Sequence, residues 1–148
     1  MKVRELSIPD AYEVSTDVFP DERGLFLNPF RADVLAEAIG HPLAVAQTNH
    51  SVSRAGVVRG IHFALLPPGQ AKYVYCPRGA ALDVVVDIRI GSPAYGRHDV
   101  VRLDDRDFRA VYLAEGHRRA HPGRRRGAGA PADVRGVPGV LRRPARLI

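Results

Sequence analysis

The chain has 148 residues, 45% of them hydrophobic, and a formal net charge of +6. That is enough for one domain with a real core, and no apolar run approaches the roughly 20 residues a membrane-spanning helix needs. A single cysteine, Cys76, excludes an internal disulfide and a zinc site built on cysteines.

The opening MKVRELSIPD has no apolar signal-peptide segment, so the expectation is a cytoplasmic protein. The charge is uneven. Residues 117–148 carry nine Arg against one acid, Asp133, and the remaining body is mildly acidic. The basic balance therefore belongs to the tail alone.

In chain order, the alternation in Lys2–Ile8 predicts a half-buried strand, and Glu13–Phe19 a second. Residues 19–24 (FPDERG) read as a turn into a short strand over Leu25–Phe30. Residues 33–39 (DVLAEAI) are the one good helix candidate, with Asp33 as its cap and Gly40 and Pro42 as its stop. Leu43–Ser53 is again strand-like, interrupted by Gln47, Asn49 and His50. Strands are further predicted over Val57–Phe63, Ala71–Cys76, Ala81–Asp87, His98–Leu103 and Phe108–Leu113, with turn signals at 54–56, 67–69, 77–79, 91–93 and 104–107. Many short strands at this spacing indicate an all-β sandwich or barrel, with a jelly roll as the favoured version.

The organising stretch is Val57–Asp87. Its three apolar runs each carry polar groups: Arg59 and His62, then Lys72, then Asp83. Strands joined by short turns are expected to pair and bring these groups together. An imidazole, an ammonium and a carboxylate converging inside a β-structure suit proton transfer. The bland alternatives are a satisfied core histidine, a solvated edge lysine and a buried structural Asp83–Lys72 ion pair.

From His117 the character changes. Arg, Gly, Ala and Pro make up 23 of 32 residues, too little apolar surface to offset the entropy of ordering. The expected division is a domain over 1–116 and a disordered tail over 117–148. The tail also resembles GC-rich codons read in the wrong frame, and a frameshift near Gly116 is the expectation that resequencing checks.

The body resembles the dTDP-4-dehydrorhamnose 3,5-epimerase family, in the branch that makes deoxysugars for antibiotics. The residues that carry the resemblance are 19–26 (FPDERGLF), 47–51 (QTNHS), 56–63 (GVVRGIHF), 67–74 (PPGQAKYV), 78–79 (RG), 83–89 (DVVVDIR), 91–93 (GSP) and 111–116 (VYLAEG). Their order and spacing match over about residues 3–116. The resemblance implies a cupin-type jelly roll, incomplete here at its C-terminus. It implies no cofactor, no metal, and a homodimer formed by exchanged N-terminal strands. The residues agree about the metal, since no His-x-His pair with a following Glu supplies ligands.

The implied reaction is epimerisation at C3, C5 or both of a dTDP-4-keto-6-deoxyhexose. A base removes the proton beside the ketone, a cation stabilises the enolate, and an acid returns a proton to the other face. The resemblance makes His62 the base and Lys72 the enolate stabiliser, and puts Asp83 in the active site. Arg23 and Arg59 would grip the diphosphate, as guanidinium groups do. Gln47 and Asn49 would contact nucleotide or sugar, Phe26 would lie near the nucleotide, and Lys72 would also bind substrate. His50 and Asp87 read as structural, Asp87 pairing with Arg89 or another surface base.

Four departures stand out. The family usually has Glu where this chain has Asn28, and the expected His position is Arg119. No Tyr follows Tyr112 to serve as the family's acid, nor is the carboxylate that partners its base histidine present in context. The expectation is thus an epimerase with half a site and little turnover. Its rival is a non-catalytic dTDP-sugar binding module. Nucleic-acid binding through the Arg-rich tail is disfavoured, because no aromatic residues interleave the charges.

Overall fold

The alternation at the N-terminus does form a strand, but a shorter one: β1 is Lys2–Glu5, and it pairs antiparallel with β2, Ala11–Ser15. Between them Leu6 and Ile8 are buried in a tight turn closed by the Leu6 N–H donating to the Ala11 carbonyl at 2.8 Å. Asp10 takes a left-handed φ of 66° there, a conformation short polar side chains tolerate. The computed structural model describes residues 1–64 and 69–115. The expected tail over 117–148, and Pro67 and Pro68 of the predicted turn, lie outside the described residues.

The order continues with β3 (Val18–Asp21), β4 (Gly24–Leu27), α1 (Ala32–Ile39), β5 (Lys72–Tyr75), β6 (Ala80–Val86), β7 (His98–Asp104) and β8 (Ala110–Leu113). The single strand predicted over 13–19 is therefore divided between β2 and β3. Three antiparallel groupings result: a sheet in the order β1-β2-β8-β5, a hairpin β3-β4 and a hairpin β6-β7. This is the all-β jelly-roll character expected, with one short helix among the described residues.

Period-2 alternation sorts the main sheet into two faces. On one face Val14, Ala110 and Tyr112 pack against Leu35 of α1, with Tyr12 and Tyr73 flanking Tyr112 at the same register. On the other, Ala11 and Val111 meet Val85, Val101 and Leu103 of the β6-β7 hairpin, joined by Leu6 and Ile8. The hairpin is thus a second layer over the main sheet.

Helix α1 ends as its sequence predicts, with Gly40 at φ 80° donating its N–H to the Ala36 carbonyl at 2.9 Å, a left-handed cap that favours glycine. Its start differs. Arg31 occupies the cap position without a side-chain cap, and Asp33 sits inside the first turn, paired with Arg31. A carboxylate there still meets the positive end of the helix dipole.

The larger correction concerns Leu43–Ser53 and Val57–Phe63, both predicted as strands. Neither forms one; residues 41–71 contain no regular element among those described. Apolar alternation gives a segment the capacity for a strand, but the strand exists only through a ladder of backbone hydrogen bonds. Among the described residues no neighbouring strand supplies that ladder.

The β7–β8 connection is held by Asp104, whose carboxylate takes the Arg102 Nε at 2.6 Å and the N–H groups of Arg106 and Asp107 at 3.0 and 2.9 Å. These bonds, Arg102 first, hold its carboxyl at about 2, below an ordinary 3.8. The folded state binds this proton less readily than the unfolded chain does. The stabilisation is complete above about pH 4 and lost as pH falls through about 2. Asp104→Asn should therefore flatten the acid limb of a plot of urea midpoint against pH. An unchanged limb would show that Asp104 has no part in it.

Candidate functional site

Lys72 opens β5 and shares the inner face of the main sheet with Cys76, which packs on the core between the layers. Asp83 lies two residues before Val85 on β6 and shares its inward face. Strand β5 pairs with β8 and β6 pairs with β7, so the expected pairing of neighbouring runs through their turn does not occur. Lys72 and Asp83 instead lie on the inward faces of the two layers, near enough for the ammonium charge to act on the carboxyl. Burial pushes the Asp83 carboxyl up, and the Lys72 charge opposes that rise. No direct ion pair joins them among the described residues. An ammonium and a half-buried carboxyl poised without a closed salt bridge leave the cation available to a third, anionic group.

Arg23 and Phe26 sit on the β3-β4 hairpin. Its turn follows from the sequence: the Asp21 Oδ1 accepts the Arg23 N–H at 2.8 Å, an Asx turn, and Gly24 takes φ 138°. The Asp21 Oδ2 also pairs with the Arg23 Nη2 at 2.6 Å, and this hydrogen bond lowers the Asp21 carboxyl. The Arg23 side chain is 90% exposed. Asp21, Arg23, Leu25 and Phe26 line a groove of about 290 Å³. Sequence reasoning missed Asp21, although an Asp two residues before Arg at a Gly turn is the signal for it.

Gln47 and Asn49 do come together, the Gln47 Nε2 donating to the Asn49 Oδ1 at 2.7 Å. Arg59 is exposed and bonded locally, its Nε to the Ser53 Oγ at 2.8 Å and its Nη2 to the Val52 carbonyl at 3.2 Å. His62 is exposed on the irregular segment, and among the described residues its ring has no hydrogen bond or ion pair. The expected single constellation is thus three pairs, Lys72–Asp83, Arg23–Phe26 and Gln47–Asn49, with Arg59 and His62 outside them. The reason is the missing strand over 57–63, which was to carry both. Aromatic and apolar side chains unnoticed in the sequence, Tyr75, Pro77 and Phe108 among them, line a groove of about 320 Å³ beside Phe26.

No group of three or more His, Cys, Asp or Glu among the described residues is placed to hold a metal ion. No helix among them is long and apolar enough to cross a membrane.

A family model for dTDP-4-dehydrorhamnose 3,5-epimerase matches residues 5–122. The dTDP-4-dehydrorhamnose 3-epimerase of Streptomyces niveus is 57% identical over 116 residues, covering 78% of this chain and 56% of the relative. The crystal structure of NovW, a 4-keto-6-deoxy sugar epimerase from the novobiocin gene cluster of Streptomyces spheroides, superposes with a TM-score of 0.77 at 57% identity, covering 78% of this chain and 58% of that one. ChmJ, a 3'-monoepimerase from Streptomyces bikiniensis solved with dTDP-quinovose, gives a TM-score of 0.72 at 49% identity over 75% of this chain and 56% of that one. These neighbours share the cupin-type jelly roll. The chain therefore spans a little over half the length of the relatives it matches. On the match of most of its length, and on likeness in both sequence and fold, the chain belongs to the dTDP-4-dehydrorhamnose 3,5-epimerase family.

Proposed function

We propose that this chain acts on a dTDP-4-keto-6-deoxyhexose, abstracting and returning a proton at C3, C5 or both, in the making of rhamnose or an antibiotic sugar. His62 is the base, Lys72 stabilises the enolate oxygen by charge, and Asp83 sets the charge beside Lys72. Arg23 and Arg59 bind the diphosphate, Phe26 lies at the nucleotide, and Gln47 and Asn49 contact nucleotide or sugar. The observation that carries this reading is the placement of Lys72 and Asp83 on the facing sides of the two layers, in a chain whose relatives are sugar-nucleotide epimerases. The protein is read as cytoplasmic and homodimeric. The apolar Leu82, Val84 and Val100, exposed on the outer face of β6-β7, support a second copy, and sedimentation decides it.

The test is solvent exchange in deuterium oxide, followed at C3 and C5 of the keto-sugar by NMR. Slow exchange above the buffer background is expected, and His62→Asn should abolish it while leaving thymidine diphosphate binding within a factor of about three, since the base meets only the sugar. Failure to bind thymidine diphosphate would overturn the reading. A second reading, a binding module without chemistry, is favoured by the exposed position of His62. Binding without any His62-dependent exchange would establish it.

A further inference from the structure

The β3-β4 hairpin carries Arg23 and Phe26, yet among the described residues its strands pair only with each other, and most of its residues are exposed. A two-stranded hairpin on its own is marginally stable in water. Something must set the direction in which it leaves the sheet. Two hydrogen bonds hold its exit among the described residues. The Thr16 Oγ1 donates to the Asn28 carbonyl at 2.7 Å, and the Tyr73 hydroxyl donates to the Pro29 carbonyl at 2.6 Å. The Tyr73 ring also stands edge-on to Phe30, centroids 5.2 Å apart at 74°, a favourable aromatic geometry.

Tyr73 is well placed for this. It follows Lys72 on β5 but points to the opposite face, where it packs with Tyr112, Leu35 and Val14. Pairing with Tyr112 on β8 ties its backbone to the main sheet, where β5 is the edge strand. Burial pushes the phenol up to about 12, so the hydroxyl stays a donor throughout the physiological range. Pro29 offers only its carbonyl to such a bond, having no N–H.

We propose that Tyr73 is a positioning residue whose hydroxyl, bound to the Pro29 carbonyl, fixes the exit of the β3-β4 hairpin and thereby the presentation of Arg23 and Phe26 to a nucleoside diphosphate. The ligand half rests on the proposed function; the geometric half does not. One strand thus serves two tasks through adjacent residues on opposite faces, Lys72 toward the reacting sugar and Tyr73 toward the element that holds the nucleotide.

The test is Tyr73→Phe in the full 148-residue chain. It removes one oxygen and keeps the ring against Phe30. Amide hydrogen exchange is expected to quicken about fivefold or more across 18–27, while amides of β6-β7 stay as they were. Affinity for thymidine diphosphate should fall by about fivefold, the loss of one ordinary hydrogen bond's worth of preorganisation. A general loss of packing would quicken β6-β7 as well and would overturn the proposal, as would unchanged exchange over 18–27 or unchanged affinity. If the wild-type chain binds no thymidine diphosphate, the proposed function fails, and the exchange measurement still decides the latch by itself.

Discussion

Joining residues 1–116 of this chain to the stretch that follows the equivalent position in the Streptomyces niveus relative is expected to raise substrate-dependent deuterium exchange by about 10²- to 10⁴-fold, the usual contribution of a positioned acid–base group. The 148-residue chain is the comparison. Proton transfer between opposite faces of a carbon needs a base on one side and an acid on the other, each with its own orienting partner. In the proposed reaction His62, Lys72 and Asp83 would furnish a base, a cation and a carboxyl. After Tyr112 the sequence offers no Tyr and, apart from Glu115, one carboxylate, Asp133, among nine Arg. Arginine stays charged at any accessible pH and cannot take the place of an acid that gives up a proton.

The graft should also act on the fold. Residues 43–63 have the alternation of strands without a ladder, and the relatives are longer than this chain. A continuation that supplies a pairing edge is expected to convert the segment bearing Gln47, Asn49, Arg59 and His62 into strands and turn the His62 ring inward. Circular dichroism would report a gain in strand content in step with exchange. A chimera that exchanges no faster than the 148-residue chain would show that the missing chemistry lies within residues 1–116.

This same segment marks the limit of what the residues disclose in advance. Strands β1, β2, β5, β6, β7 and β8 were legible because each has both a period-2 pattern and a partner within the described residues. The pattern over 57–63 is just as good, but pairing is a property of two segments. Lys72 and Asp83 were legible as polar groups in apolar runs, and their mutual approach was expected. The route was not, because β8, at residues 110–113, takes the place beside β5 that its sequence neighbours were assigned. Tyr73 was invisible for a related reason. A tyrosine in a strand reads as core, and only the spatial neighbourhood of Pro29 gives its hydroxyl a task. By contrast the Asp87–Arg89 pair, two residues apart beside a Gly-Ser-Pro turn, was readable locally and stands as expected.

Replacing Asp87 with alanine is expected to destabilise the protein by about 3–5 kcal/mol, the usual cost of removing one partner from a buried ion pair. Asp87 is 2% exposed at the end of β6. Burial alone would raise its carboxyl. Arg89, through Nη2 at 2.7 Å, Nε at 3.0 Å and its backbone N–H at 2.9 Å, outweighs that together with the Ser92 hydroxyl at 2.7 Å, so the carboxyl ends below its ordinary value. The guanidinium then reaches the β1–β2 turn, with Nη1 3.3 Å from the Asp10 Oδ2 and Nη2 donating to the Pro9 carbonyl at 3.2 Å. One buried carboxylate therefore organises the cation that staples the second layer to the first, and the layers are what hold Asp83 opposite Lys72. Alanine leaves the guanidinium and the Ser92 hydroxyl without their shared acceptor. Asparagine keeps one acceptor oxygen and the shape while losing the charge, and should cost less, about 1.5–3 kcal/mol. Since a domain of this size has about 5–15 kcal/mol in all, the alanine variant should lose much of its urea resistance at pH 7, with the asparagine variant between it and the wild type. An alanine variant within about 1 kcal/mol of the wild type would mean that Arg89 finds sufficient partners in Asp10 and water, and that the layers are held by the apolar core alone.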